Sequence, residues 1–369
     1  MGHTLKNIYI LIITLSTWLA PLYLPETSHA QNEKESNRTF LSLYQEAADK
    51  YHREKFDEAI QLGNIIRERY PDEPAGVFGL LTSYQTIMRN YRVRIYESKF
   101  DSLLNLSVKL AKKAVKNNKK DGRNYFYLGC AYGSRCVFKA RRGEWLEAFR
   151  DGSQVRKNFK KAIRYSPEFY DAYYGLGLQK YWLSAKSKFL RALPFARNNR
   201  QQGIEYVKLV VEKGRFLKVD AKYGLAAIYY NEEEFENALE MTDHLYESFP
   251  NNPTLLYRRG RIYQKLERWA EAKETFDELD KVLTSAKYQS VSYRVELMYQ
   301  TAKCQFHLNN MREAQRLCEE AIALEKECDF SKEMDGPLEP FSDIKEELFE
   351  LVDKVKAIRV SEVKSSAQK

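Results

Sequence analysis

Glycine and proline are scarce in this 369-residue chain, at 16 and 10 residues; average usage is about 7% and about 5%. So few turn formers exclude collagen-like and Pro/Gly-rich disordered classes. They also argue against a many-stranded sandwich or barrel, where every reversal needs turn chemistry. Cysteine is sparse too: five residues, at 130, 136, 304, 318 and 328. With no C-x-x-C and no histidine cluster beside them, neither a zinc site nor a thioredoxin-type pair is indicated. They read as small buried hydrophobes, with a Cys304–Cys318 bridge across a helix hairpin as the alternative. His3, His29, His52, His244 and His307 stand in no metal-binding spacing. H-E-x-x-H, G-x-S-x-G, P-loop and dinucleotide fingerprints are missing. The acidic run Glu232-Glu233-Glu234 reads as a helix start. No catalytic residue, cofactor or metal is expected, and the chain reads as a non-enzyme.

Long hydrophobic runs are also lacking, with one exception. Ile8 to Leu24 is uncharged and apolar, follows Lys6 and ends at Pro25. Ser28-His29-Ala30 puts small residues where a signal peptidase reads them, so residues 1–30 are expected to be an export signal and Gln31 the mature start. An uncleaved N-terminal membrane anchor is the alternative, because 17 residues is the lower edge of a span. Export places the protein in the periplasm or cell envelope, where cysteines meet an oxidising medium.

What the sequence does have is charge and period. There are 60 Lys and Arg against 51 Asp and Glu, a formal net of +9. Residues 89–218 hold 31 of the basic residues and 10 of the acidic ones, leaving 29 and 41 for the rest. The basic middle suits an anionic membrane surface, acidic glycans or an acidic protein; a solvated helix face is the plainer reading. Nucleic acid is not expected as a partner, since no nucleic-acid motif is present.

Small and large residues recur in a 34-residue frame. From Val219, Leu225, Ala226, Tyr229, Ala238, Leu245 and Pro250 fall at positions 7, 8, 11, 20, 27 and 32. From Pro253, Leu256, Gly260, Tyr263, Ala272, Phe276 and Leu279 fall at 4, 8, 11, 20, 24 and 27. Leu43, Ala47, Ala59, Ile66 and Pro71 repeat the frame from Phe40, as do Met298, Ala302, Ala314 and Ala321 from Val295. Units are expected to start near 40, 74, 122, 170, 219, 253 and 295, across residues 40–339. Three of the intervals exceed 34 by about 14. That is two sevens, and seven residues is about two helical turns, so each helix of a central hairpin can lengthen without rotating its buried face. Residues 340–360 are expected to cap the array with a helix burying Leu348, Leu351, Val352 and Val355, and residues 361–369 to form a frayed tail.

These positions resemble the tetratricopeptide repeat, most clearly in the unit from Val219, and Tyr125-x-x-Leu128-Gly129-x-x-Tyr132 matches its W-x-x-L-G-x-x-Y signature with tyrosine for tryptophan. The resemblance implies an all-α superhelix of about seven helical hairpins with lengthened central hairpins, acting as a protein-binding scaffold. The central block, with Arg142-Gly143-Glu144-Trp145, Asp171-Ala172-Tyr173 and Leu193-Pro194-Phe195, is similar to uncharacterised tetratricopeptide proteins of bacterial envelopes, which implies no activity. The first helix of each hairpin would line a concave groove. Its fifth position is aromatic in every unit: Tyr44, Phe78, Phe126, Tyr174, Tyr223, Tyr257 and Tyr299. The stripe either packs the repeat or stacks on a partner. The candidate groove residues are Tyr174, Tyr181, Tyr223, Tyr230, Tyr257 and Tyr299, with Arg261, Lys265 and Lys303 adding positive charge for an acidic or C-terminal peptide. The lysine and asparagine of the chaperone-tail carboxylate clamp are absent at positions 5 and 9, so that clamp is not expected.

Overall fold

The computed structural model describes residues 32–186 and 194–367. The expected export signal and the proposed new start at Gln31 lie outside the described residues. Everything described is helix, turn or coil, apart from one antiparallel bridge between Val93 and Glu333.

Helices follow one another in antiparallel pairs. The first four pairs are α1 Asn32–His52 with α2 Phe56–Arg69, α3 Pro74–Tyr91 with α4 Glu97–Asn117, α5 Gly122–Arg141 with α6 Trp145–Tyr165, and α7 Asp171–Lys186 with α8 Pro194–Lys213. The last three are α9 Lys218–Asn231 with α10 Phe235–Ser248, α11 Pro253–Lys265 with α12 Trp269–Ser285, and α13 Val291–His307 with α14 Met311–Glu325; α15 Phe341–Ala367 ends the chain. The expected seven hairpins and terminal helix are all present. The lengthening is as expected: α5 and α6 have 20 and 21 residues, α9 and α10 have 14 each.

The chain divides into two compact units. One comprises residues up to Thr86 with Tyr96–Ile228, the other Ile87–Ile95 with Tyr229–Lys369.

In the first unit, α5 packs against both α4 and α6, and α7 against α6 and α8. Gly129 shows why a small residue is needed where two helices meet: a methyl group there would sit 2.9 Å from the Phe159 ring. Asp121 caps α5 by accepting from the Arg123 backbone N–H at 2.9 Å.

In the second unit the same logic holds at Gly260, where a Cβ would lie 2.4 Å from the Phe276 ring. Ala272, Ala302, Ala314 and Ala321 are completely buried. Asn252 and Ser290 cap α11 and α13 with their side chains, and Pro253 takes the first turn of α11, where no N–H is missed. Ile344, Leu348, Leu351, Val352 and Val355 of α15 pack on Val295, Leu317 and Ala321, so the capping face is the one expected. The helix continues to Ala367 rather than fraying at 361. Ser361–Ala367 contains neither glycine nor proline, so nothing in the sequence stops propagation.

Hairpin turns share a geometry. The second residue after the first helix is left-handed in five of them: Glu54, Gly143, Glu233, Glu267 and Asn309, with φ from 58° to 76°. The expected helix start at Glu232–Glu234 is therefore two things. Glu233 makes the reversal, and Glu234 is the N-cap position of α10. All five cysteines are free thiols, Cys130, Cys304 and Cys318 buried and the other two half-buried; the alternative Cys304–Cys318 bridge is not formed.

Candidate interaction surfaces

In the first unit, Tyr174 on α7 is fully buried and its hydroxyl donates to the Asp220 carbonyl at 2.8 Å. Tyr181, two turns on, is also fully buried, edge-on to Trp182 at 4.9 Å between ring centroids. Tyr223 on α9 is half-buried and stacks on His52 with centroids 6.3 Å apart. Tyr44, Phe78 and Phe126 are buried as well. The fifth-position aromatics here serve packing, and Tyr223 is the one with accessible surface. Tyr174 shows why: its hydroxyl reaches Asp220 in α9 of the next hairpin, so the ring fills the gap between hairpins.

In the second unit, position 5 is equally closed. Tyr257 on α11 is fully buried and donates to the Glu296 carboxylate. Glu296 also takes a buried ion pair from Arg92, whose guanidinium lies 3.6 Å above the Tyr293 ring. On the other side, Arg261 donates to the Tyr257 hydroxyl at 2.8 Å and forks onto Glu339 at 2.7 and 2.8 Å. A continuous polar chain thus runs Arg92–Glu296–Tyr257–Arg261–Glu339. Burial pushes the Tyr257 hydroxyl pKa well up, so it stays a donor. Burial also pushes the Glu339 carboxyl upward, but the Arg261 hydrogen bonds and charge outweigh it and hold the pKa below the usual range.

Tyr299 and Lys303 on α13 converge on a second acid. The Tyr299 hydroxyl donates to Glu347 at 2.5 Å, and the Lys303 ammonium stands 3.8 Å from the same carboxylate. Burial lowers the Lys303 pKa, with Glu347 opposing. Tyr230 is half-buried, its pKa raised by burial, and lies in the field of Arg261 and Glu339. Lys265 alone of the nine residues is exposed.

The candidate residues of the second unit are therefore brought together, but their open groove is not. The sequence assigned Arg261 and Lys303 to an acidic segment, and the acids beside them belong to this chain. The segment that carries Glu339 is fixed on its other side: Met334 N–H donates to Arg92 O at 2.9 Å, Arg94 N–H to Lys332 O at 2.7 Å, and the Glu333 carboxylate receives the Ser292 N–H at 2.7 Å at the start of α13. Arg92, Glu296, Glu333 and Glu339 were all missed by the sequence reading. Their partners lie as much as 204 residues away, beyond any periodic signal.

The tetratricopeptide repeat profile matches residues 254–281, which form α11, its turn and most of α12. No curated protein sequence matches the chain. Among solved structures, the Cut9–Hcn1 hetero-tetramer of the APC/C aligns with a TM-score of 0.51 at 15% identity, over 86% of this chain and 53% of that one. The chain thus spans about half of that protein, and the likeness is one of fold. YrrB, described as a tetratricopeptide protein with an unusual peptide-binding site, aligns with a TM-score of 0.41 at 15% identity, over 58% of this chain and 92% of that one. A tetratricopeptide repeat protein from Parabacteroides merdae ATCC 43184 aligns with a TM-score of 0.37 at 14% identity, over 86% and 99%. The profile match on the most regular hairpin, and seven consecutive packed helix pairs around it, identify the chain as a tetratricopeptide-repeat protein.

Proposed function

We propose that the protein is an exported, non-catalytic scaffold that holds acidic segments of partner proteins at the second unit. The observation that carries this is the fork of Arg261 on Glu339. A buried guanidinium with a tyrosine hydroxyl beside it is a carboxylate site with fixed geometry, and bidentate pairing selects a carboxylate over other acceptors. The chain's own C-terminal segment is the occupant in the free protein. Lys265, Lys303 and Tyr230 border that occupant and give a partner its first contacts. Export to the periplasm or envelope rests on the apolar run and small-residue site at residues 8–30, and the absence of catalysis on the lack of catalytic motifs in the sequence.

The test uses a labelled peptide with the sequence of residues 333–345. Glu339→Ala vacates the site, so the variant should bind the peptide measurably more tightly than the wild-type chain, and adding Arg261→Ala should abolish the gain. Equal binding by all three proteins rejects the reading. Export is tested separately, by the N-terminal residue of the protein recovered from the envelope fraction; an intact Met1 in the cytosol rejects it.

A further inference from the structure

Among the described residues of the first unit, the outer face of α6 carries the two most exposed large apolar side chains beside a row of cations. With the helix turning about 100° per residue, Leu146, Phe149, Ser153 and Arg164 project to one side, and both apolar side chains are open to solvent, Leu146 at 76% and Phe149 at 81%. Arg150, Arg156, Lys157 and Lys160 fall within the same third of the helix, and all are exposed. No acidic residue shares this face; Glu147 lies about a quarter-turn round from Leu146. Among the described residues none of these five cations has an ion-pair or side-chain hydrogen-bond partner. They ascend the helix over about 21 Å from Arg150 to Arg164.

The inner side of the same helix is satisfied differently. Asp151 takes a bidentate pair from Arg135 at 2.7 and 2.8 Å, and Glu144 at the hairpin tip is held by Arg142 at 3.0 Å. Asp151 and Glu144 are thus spoken for, and the outer cations are left without an ion-pair partner. One more exposed apolar residue lies at the same end. Gln179 of α7 donates to the Gly152 carbonyl of α6 at 2.9 Å, so Leu183, one turn further along antiparallel α7, lies level with the Phe149 end; it is 47% exposed.

We propose that this face docks flat on a bilayer containing anionic lipid. The cations would lie in the headgroup plane, and Leu146, Phe149 and Leu183 would enter the acyl boundary. An acidic protein would explain the cations but not the apolar residues held out in water beside them. A helix with apolar anchors and a basic flank suits a lipid interface, where each Lys or Arg near an anionic surface contributes about fivefold in affinity. The inference is independent of the scaffold reading, since it uses no residue of the second unit.

The test is vesicle flotation of the full chain with phosphatidylcholine alone and with phosphatidylcholine containing about one-quarter phosphatidylglycerol, at about 0.1 M and about 0.5 M salt. The readout is the gain in affinity on adding the anionic lipid, which any neutral-vesicle binding by the apolar run at residues 8–24 does not alter. The wild-type gain should be large at low salt and shrink at high salt. R156E/K157E/K160E should lower it by about a hundredfold or more, and Leu146→Ser with Phe149→Ser should weaken anionic-vesicle binding by about tenfold. All five sites are exposed, so circular dichroism and Tm should match wild type. No gain with phosphatidylglycerol, or a gain that survives the charge reversal, overturns the proposal. So does an unchanged affinity for the serine variant, with dextran sulfate displacing the protein from vesicles, which would point to an acidic polymer or protein instead.

Discussion

The two units use the same repeat and both pair their inward cations, as Arg135 with Asp151 in the first, yet they differ in how much cationic surface is left without a partner. In the second unit, Arg92 and Arg261 are buried and matched to Glu296 and Glu339, and half-buried Arg259 pairs with Asp243 at 2.7 Å. In the first, the five cations along α6 stand in water with nothing opposite. The count of basic residues therefore says little about which charge is available to a partner. Desolvation decides it: a guanidinium enclosed by helices cannot stay unpaired, whereas one on an outer face has no such requirement. Of the positive charge the sequence assigned to the groove, Arg261 and Lys303 face acids of this chain and only Lys265 stays exposed.

The sharpest way to break that contrast is to remove one cation from each class. Arg92→Ala leaves Glu296 as an uncompensated buried charge, and the second unit should lose about 3–5 kcal/mol. Arg156→Ala, on the α6 face, should change stability by less than about 0.5 kcal/mol. Denaturant unfolding followed by amide hydrogen exchange resolved to each unit measures both. Comparable losses would mean that burial does not separate the two groups.

Next in size is the acid opposite Arg261. Glu339→Gln keeps shape and removes charge, and should weaken docking of residues 329–340 by about 1.5–3 kcal/mol at neutral pH. The wild type carries the sign of the linkage. Because Arg261 holds the folded pKa of Glu339 below its ordinary value of 4.5, the contribution is complete above that value and is lost as pH falls through the lower, folded one. Protection of the Met334 amide in hydrogen exchange should therefore fall on acidification in the wild type and stay flat in the glutamine variant. A flat wild-type profile would remove Glu339 from the account.

How much of this was readable beforehand follows from how each feature is written in the chain. Small residues at Ala226, Ala238, Gly260 and Ala272 mark helix crossings, and crossings recur with the repeat, so pairing and register could be read. The lengthening in multiples of seven kept the buried face of α5 and α6 in phase, which is why the frame survived there. Position 5 was readable as aromatic but not as buried, since ring identity is the same whether it packs or stacks. The segment 329–340 has no period at all. Its place is set by Glu333 at the start of α13, Glu339 on Arg261, and Gly336, where a Cβ would lie 3.1 Å from both Arg92 and Glu296.

Glycine offers a smaller comparison of the two units. Gly260→Ala would drive a methyl group into the Phe276 ring and should cost about 1–3 kcal/mol. At Gly152 in α6 a Cβ would meet only the Cys136 sulfur at an ordinary 3.7 Å, so Gly152→Ala should instead stabilise by about 0.5–1 kcal/mol through helix propensity. Thermal melts of the two variants should move in opposite directions. Shifts of the same sign would show that close approach is not what keeps glycine at the eighth position of the repeat.

The smallest effect belongs to the hairpin turns, where Glu54 and Gly143 of the first unit and Glu233, Glu267 and Asn309 of the second take the same left-handed position. A side chain there costs about 1–2 kcal/mol of backbone strain, and glycine avoids it while losing more chain entropy on folding. Glu267→Gly should therefore gain no more than about 1 kcal/mol, and Gly143→Ala should lose a similar amount, since open space around Gly143 leaves strain as the sole penalty. If Glu267→Gly destabilises instead, the glutamate contributes something beyond the turn. Its position beside His307, whose pKa it opposes burial in lowering, then names the contact to examine, and the Trp269–His307 stack at 3.7 Å provides a fluorescence reading of it.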